Sequence, residues 1–245
     1  MIRLVTFDAL HTLVTPRLPI YVQYSQIFEP YLGVLEPEAL KRSFKTALKQ
    51  LQAEKPVYQS GAPEWWGEVI KRTAVDAGAE THVVDKSLDR MVPQLLRRFS
   101  SKEGYKLFDD SLACLHQLKN LSVKTGLVSN TDKRMLAVLD DLGITTYLDP
   151  ILISEVEGLE KPSAEIYARA CSRASVKRNE TLHVGDELQA DFHGARKAGL
   201  QALLLRRPGP EGEGEMKEPD EELQGVEVAG SLLDVVGRVL RSMSD

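Results

Sequence analysis

After residue 105 the chain alternates short apolar runs with segments of helical length, and no other feature constrains its fold as tightly. The pattern predicts a helix over 110–120, a strand over 123–128, and a helix over 133–142 that stops at Gly143. A strand over 150–154, a helix over 164–173, and a strand over 181–184 follow, then a helix over 190–198 that stops at Gly199 and a strand over 202–205. Strands joined through helices of this length require crossover connections, and such connections give a parallel sheet with both faces covered. A short strand over 226–228 and a last helix over 231–242 close the pattern.

One further strand belongs to this sheet, although it lies far away in sequence. Residues 2–10 read IRLVTFDAL, an apolar run too short for a helix that ends in a carboxylate and a turn-prone stretch. The intervening residues 16–105 carry helical periodicity, with helices expected over 21–32, 38–53, 64–77 and 86–99. Pro37, Pro56, Gly61, Pro63 and Gly78 punctuate them. The expected fold is therefore a doubly wound α/β core made of residues 1–15 and 106–245, interrupted near its start by an α-helical insertion over 16–105.

Composition excludes several classes. In 245 residues, 42% hydrophobic and 27% charged, there is enough apolar material for a core without disulfide or metal staples. Cys114 and Cys171, far apart and both in helical segments, make neither a disulfide framework nor a zinc cluster. No apolar run approaches the ~20 residues of a membrane span, and the first residues read as a strand rather than a signal segment. A balance of 31 basic against 36 acidic residues, net −5, argues against a phosphate backbone as the main partner. The expectation is a cytoplasmic or nuclear protein, with no nucleic-acid or membrane partner, acting on a small phosphorylated molecule or phosphate. The stretch 206–224, rich in Gly, Pro and Glu, reads as a mobile acidic surface loop, or as a docking loop for a protein partner.

In open parallel sheets ligands bind outside the carboxyl ends of the strands. Four such ends carry polar residues here. The first bears Asp8, His11 and Thr12, the second Ser129 and Asn130; Lys161 follows the third, and Asp186 and Asp191 follow the fourth. Taken singly each has an ordinary explanation, such as a helix N-cap, a turn, or a loop entering a helix. Together they lie on one edge of one sheet, and that shared placement points to chemistry.

With these motifs in this order, the sequence resembles the haloacid dehalogenase (HAD) superfamily of hydrolases with a helical cap inserted after the first motif. The resemblance covers nearly the whole chain. It implies a Rossmann-like core, Asp8 as nucleophile, Ser129 as the hydroxyl after the second strand, Lys161 as the third-motif lysine in GLEKP, and Asp186 with Asp191 as the acidic pair in GDELQAD. It also implies Mg²⁺, and Thr12 and Asn130 join Ser129 and Lys161 as candidate substrate-binding residues.

The residues support that chemistry on their own terms. A carboxylate can attack phosphorus and divide one hard displacement into two easier ones through an acyl phosphate. Lys161, Ser129 and main-chain N–H groups would neutralise the phosphoryl oxygens, while a hard cation held by Asp8 and Asp186 would screen the repulsion between carboxylate and phosphate. Mg²⁺ suits an oxygen-only donor set, and Asp191 fits a role in orienting Asp186 or water on the metal.

One position departs from the family pattern. HAD phosphatases carry a second aspartate two residues after the nucleophile, and in this sequence that residue is Leu10. The family's aspartate protonates the leaving group and then activates water, help worth ~10²–10⁴ in rate, so an impaired or atypical proton-transfer step is expected. The family's metal ligand at that position is the main-chain carbonyl, which Leu10 retains. His11 is the candidate substitute acid–base, although extended geometry points it away from Asp8. Two other readings compete. Haloacid dehalogenation needs no protonated leaving group, but its enzymes need no metal and carry a tyrosine where Leu10 stands, whereas this chain keeps both carboxylates of GDELQAD. The second is a catalytically weak or inactive phosphate- or metal-binding regulatory protein. The helical insertion is expected to choose the substrate, with Trp65, Trp66, Arg17, Arg97 and Arg98 as candidate lining residues and core packing as the ordinary role of the tryptophans.

Overall fold

The computed structural model describes residues 1–56, 61–217 and 221–244. Among these the strands are β1 (Leu4–Phe7), β2 (Val14–Pro16), β3 (Tyr105–Leu107), β4 (Lys124–Ser129), β5 (Ile151–Ile153), β6 (Thr181–Gly185), β7 (Gln201–Leu205) and β8 (Val228–Ala229). The helices are α1 (Ile20–Leu32), α2 (Pro37–Glu54), α3 (Ala62–Asp76), α4 (Thr81–Arg98), α5 (Ser111–Asn120), α6 (Arg134–Asp141), α7 (Ser154–Glu157), α8 (Ala164–Ala174), α9 (Gly194–Lys197) and α10 (Leu232–Ser244).

Six strands form one sheet in the order β5-β4-β1-β6-β7-β8, and every pairing is parallel. Parallel strands cannot be joined by tight turns, and the helices of the connections cover the sheet. This explains why β1 and β6 are buried along their whole length. The α/β class is that of a Rossmann-like core. The strands β2 and β3 pair separately and are too short to leave a periodic signal in the sequence.

The chain divides into two compact units. The first comprises Met1–Thr15, Leu107–Thr131 and Gly143–Asp245, and the second comprises Pro16–Lys106 and Asp132–Leu142. Helix α6, which falls within the range expected for the α/β core, groups with the second unit. Within that unit the reason is visible. Asp132 accepts a bond from Trp66 Nε1 at 2.7 Å, and the Arg134 guanidinium lies 4.9 Å from the centre of the Trp66 ring. The second unit has its own core, in which Tyr24, Phe28, Leu40, Leu51, Trp65 and Met91 are almost wholly buried. Each such side chain contributes roughly 1.5–3 kcal/mol relative to exposure.

Two expectations need correction in the first unit. The helix expected over 190–198 opens instead as a wide π turn, Leu188–His193, before tightening into α9. There the Asp191 carboxylate accepts the Glu187 N–H at 2.9 Å, a side chain taking a main-chain donor near the start of the turn. The stretch 206–224 is not a free acidic loop over its described part. Arg206 pairs with Glu221, and Arg207 pairs with Asp110 and takes the Glu215 carboxylate on its main-chain N–H. Residues 218–220 of that stretch lie outside the described residues.

Candidate active site

The strand order sets the position of the site. From β1 the chain builds β4 and β5 on one side, then crosses to build β6, β7 and β8 on the other. The reversal leaves a crevice beyond the carboxyl end of β1, where ligands of open α/β sheets bind. Asp8 leaves β1 at that point, and its main-chain N–H donates to Val184 O of β6 at 2.8 Å. The residue is 7% exposed. Ser129 ends β4 on one flank, and Asp186 follows β6 on the other.

Lys161 reaches this point from the segment between α7 and α8. Asn130 holds it there, accepting the Lys161 N–H on Oδ1 at 2.7 Å and donating Nδ2 to the Lys161 carbonyl at 2.9 Å. Asn130 therefore positions Lys161 with both ends of its amide. Lys161 Nζ lies 2.6 Å from Asp8 Oδ1 and 2.6 Å from Asp191 Oδ1, with the residue 3% exposed. Burial works against its charge, but the Asp191 and Asp8 carboxylates outweigh burial and hold its pKa well above the usual lysine value.

The network continues inward. Asp191 Oδ1 also meets His183 Nε2 at 3.0 Å, and His183 Nδ1 meets Thr6 Oγ1 at 2.9 Å. Burial depresses the His183 pKa in spite of Asp191, so the ring is neutral, donating from Nε2 and accepting the Thr6 hydroxyl on Nδ1. Asp191 is pushed up by burial, yet Lys161 and His183 carry its pKa below the ordinary carboxylate range. With Oδ1 on Lys161 and His183 and Oδ2 on Glu187 N–H, both of its oxygens are taken. Asp191, expected beside the metal to orient Asp186 or a metal-bound water, is in the structure bonded to Lys161 as the counter-charge that steers it onto Asp8. Gly185 permits this approach, because a Cβ there would lie 2.1 Å from the Asp191 carboxyl.

Asp186 differs from Asp191. It is 1% exposed, its Oδ2 accepts the Met216 N–H at 2.8 Å, and its Oδ1 faces the Thr12 hydroxyl at 3.5 Å. Both are neutral donors. Burial, followed by repulsion from Asp8 and Asp191, raises the Asp186 pKa well above the usual value, and burial raises that of Asp8 in spite of Lys161. Asp186 has only neutral donors on its carboxylate, and Asp8 shares the Lys161 ammonium with Asp191, so both have oxygens to offer a further cation. The Leu10 carbonyl has no hydrogen-bond donor among the described residues, whereas the neighbouring Ala9 carbonyl accepts three main-chain N–H groups. No group of three or more His, Cys, Asp or Glu side chains is gathered to hold a metal among the described residues. A cation here would therefore draw on two carboxylates, one carbonyl and outside oxygens, which is the habit of Mg²⁺.

Ser129 Oγ is buried with no hydrogen-bond partner. Unpaired buried hydroxyls are uncommon, and this one lies at the crevice where an anion would be received. His11 does not fit the acid–base role given by sequence. It forms no hydrogen bond to Asp8, its backbone takes a left-handed φ of 62°, and burial pulls its pKa down to about 4. Of the residues expected to line a substrate pocket, Trp65 is buried in the second unit's core and donates to Lys55 O, while Arg17 and Arg98 bond within that unit to Lys102 O and Gln26. Trp66 and Arg134 line a small cavity of about 30 Å³ inside the same unit. Sequence reading missed His183, Arg206, Arg207 and Met216. A lone histidine inside an apolar strand is a weak signal, and the other three lie on a stretch whose composition reads as solvent-exposed.

The profile of haloacid dehalogenase-like hydrolases matches residues 2–199. Haloacid dehalogenase-like hydrolase domain-containing protein 3 of Bos taurus is 30% identical over 213 residues, covering 85% of this chain and 84% of that protein. A crystal structure of a dehalogenase with an intermediate complex superposes with a TM-score of 0.71 at 20% identity, covering 97% of this chain and 96% of the other. A HAD-hydrolase of Bacillus subtilis bound to magnesium does so with a TM-score of 0.68 at 18% identity, covering 97% and 98%. The last two likenesses concern the fold alone. The match over most of the chain places this protein in the haloacid dehalogenase-like hydrolase family.

Proposed function

We propose that the protein is a Mg²⁺-dependent phosphohydrolase of this family that works through an aspartyl phosphate on Asp8, with an atypical proton-transfer step. The observation that carries the reading is the charge arrangement at β1. One lysine lies 2.6 Å from the nucleophile and 2.6 Å from Asp191, beside strand ends that carry a second buried carboxylate, Asp186, and the unpartnered Ser129 hydroxyl.

In this reading Lys161 holds Asp8 and balances its charge, and Lys161 with Ser129 receives the phosphoryl oxygens. An Asp8 oxygen bonds to phosphorus as the bond to the leaving oxygen breaks, and the departing alkoxide takes its proton from water. Water then attacks the phosphorus of the acyl phosphate, giving back the Asp8 carboxylate and inorganic phosphate. Mg²⁺, held by Asp8, Asp186 and the Leu10 carbonyl, would supply charge neutralisation for the approach of an anionic substrate. The Bacillus subtilis neighbour bound to magnesium supports this choice of metal. Asp191, held by His183 and the Glu187 N–H, keeps Lys161 charged and aimed. With Leu10 in place of a carboxylate and His11 buried without a bond to Asp8, neither residue serves as acid or base, so good leaving groups are favoured in the first step and hydrolysis of the acyl phosphate is slow.

The test is a paired assay of the wild type and Leu10→Asp on an activated aryl phosphate, with and without Mg²⁺. The expected result is a Mg²⁺-dependent gain in kcat of ~10²-fold or more in the variant. Absence of turnover by both proteins, together with no rise in melting temperature on adding Mg²⁺ and a phosphoryl mimic, would sink the reading. Chloride release from a 2-haloacid without metal would assign the site to dehalogenation instead.

A further inference from the structure

The stretch that leaves β7 is the least expected neighbour of the site. Arg206 and Arg207 come directly off the strand, and each reaches back to a carbonyl of one carboxylate-bearing turn. Arg206 Nη1 donates to the Asp186 carbonyl, and Arg207 Nη2 donates to the Thr12 carbonyl at 3.1 Å. Arg207 is 4% exposed, grips both oxygens of Asp110 at 2.8 and 2.9 Å, and stacks 3.9 Å from the centre of the Phe108 ring. Its main-chain N–H donates to Glu215 Oε1, so the far end of the stretch is fastened to the same hub. Gly214 fits against the His11 ring, where a Cβ would stand 2.6 Å from ring atoms. The fastened stretch delivers the Met216 N–H to Asp186 Oδ2 at 2.8 Å.

We propose that residues 206–217 form a positioning strap for Asp186, with the Met216 main-chain N–H fixing Oδ2 so that Oδ1 is presented to the divalent cation shared with Asp8. The proposal rests on the metal-dependent reading above. A carboxylate that binds through one oxygen gains affinity when a donor fixes the other, because the rotamer is set before the metal arrives. Asp186 Oδ1 is open to a cation, since among the described residues the one group bonded to it is the Thr12 hydroxyl at 3.5 Å. The acidic character of the strap follows as well. Glu221, just beyond the strap, pairs with Arg206, and Glu211 with Asp110 faces Arg207, which together offset two cations beside a cation site.

The experiment measures Mn²⁺ binding to the full chain by the EPR signal of the free ion. Met216→Pro deletes the N–H and Met216→Ala keeps it. Proline is expected to weaken Mn²⁺ affinity roughly 10- to 100-fold, the usual effect of losing a partner of a metal ligand, while alanine leaves affinity within about 2-fold. Gly214→Ala pushes the strap from the His11 ring at a different point and is expected to weaken binding in the same direction; it decides the matter if the proline variant does not fold. Wild-type affinity or tighter binding in a folded Met216→Pro and in Gly214→Ala overturns the strap. Failure of the wild type itself to bind Mn²⁺ overturns both the strap and the metal-dependent reading, so the two failures are distinguishable.

Discussion

Replacing Lys161 with methionine removes the positive charge of the buried network while nearly keeping its volume. The structure sets the size of the effect. Lys161 Nζ is 2.6 Å from both Asp8 Oδ1 and Asp191 Oδ1, and the three residues are almost wholly buried. Losing one member of a buried ion pair costs about 3–5 kcal/mol, because the remaining charge stays buried without its partner. Here two carboxylates lose the same cation, so the upper part of that range is expected, a large share of the ~5–15 kcal/mol stability of an ordinary domain. The assay is urea unfolding of the wild type, Lys161→Met, Asp191→Asn and the double variant at pH 7 in EDTA. If the carboxylates and the lysine act as one unit, the double variant is less destabilised than the sum of the singles by at least ~1 kcal/mol. A Lys161→Met loss below about 1 kcal/mol, or strict additivity, would refute the account of Lys161 as the counter-charge that lets Asp8 and Asp191 be buried together.

Three further outcomes follow from the geometry. Gly185→Ala should lower stability by several kcal/mol, because its Cβ would overlap the Asp191 carboxyl at 2.1 Å; near wild-type unfolding would contradict this. Ser129→Ala should change stability by less than about 1 kcal/mol, since its hydroxyl has no partner to lose, while weakening inhibition by inorganic phosphate or vanadate several-fold. In the second unit, burial raises the Asp132 pKa, but its bonds to Arg134 win and hold it below the ordinary carboxylate value. A depressed folded pKa contributes stability above the unfolded pKa of ~4 and loses it as pH falls below that. The stability difference between wild type and Asp132→Asn should therefore be full at pH 5 to 7 and shrink toward pH 3; a difference that does not change with pH would count against the pair.

Most of the sheet was legible because hydrophobic runs between helices admit few topologies, and the strand ends named Asp8, Ser129, Lys161 and Asp186 without any structure. What could not be read depended on contacts far apart in sequence. His183 looks like an interruption of an apolar strand until Thr6 and Asp191 are seen on its two nitrogens. Asp191 has the spacing of a metal ligand, and only the Lys161 and Glu187 bonds show its oxygens to be taken. Residues 206–217 have the composition of a solvated loop, yet Asp110, Thr12 and Asp186, each at least 20 residues away, hold them in place. Local pattern also gave α6 to the sheet, because a helix between two strands reads as a crossover whichever core its apolar face joins.

The grouping of α6 with the helices around Trp66 bears on how far this protein is modular. A graft that lifts out residues 16–106 as one continuous piece would leave α6 behind. Trp66 Nε1 would lose its acceptor on Asp132, and its ring would lose the guanidinium of Arg134. The inserted piece therefore does not carry all of its own support. Exchange of this unit between relatives would have to bring the segment 132–142 with it, so divergence in the two stretches is expected to be linked.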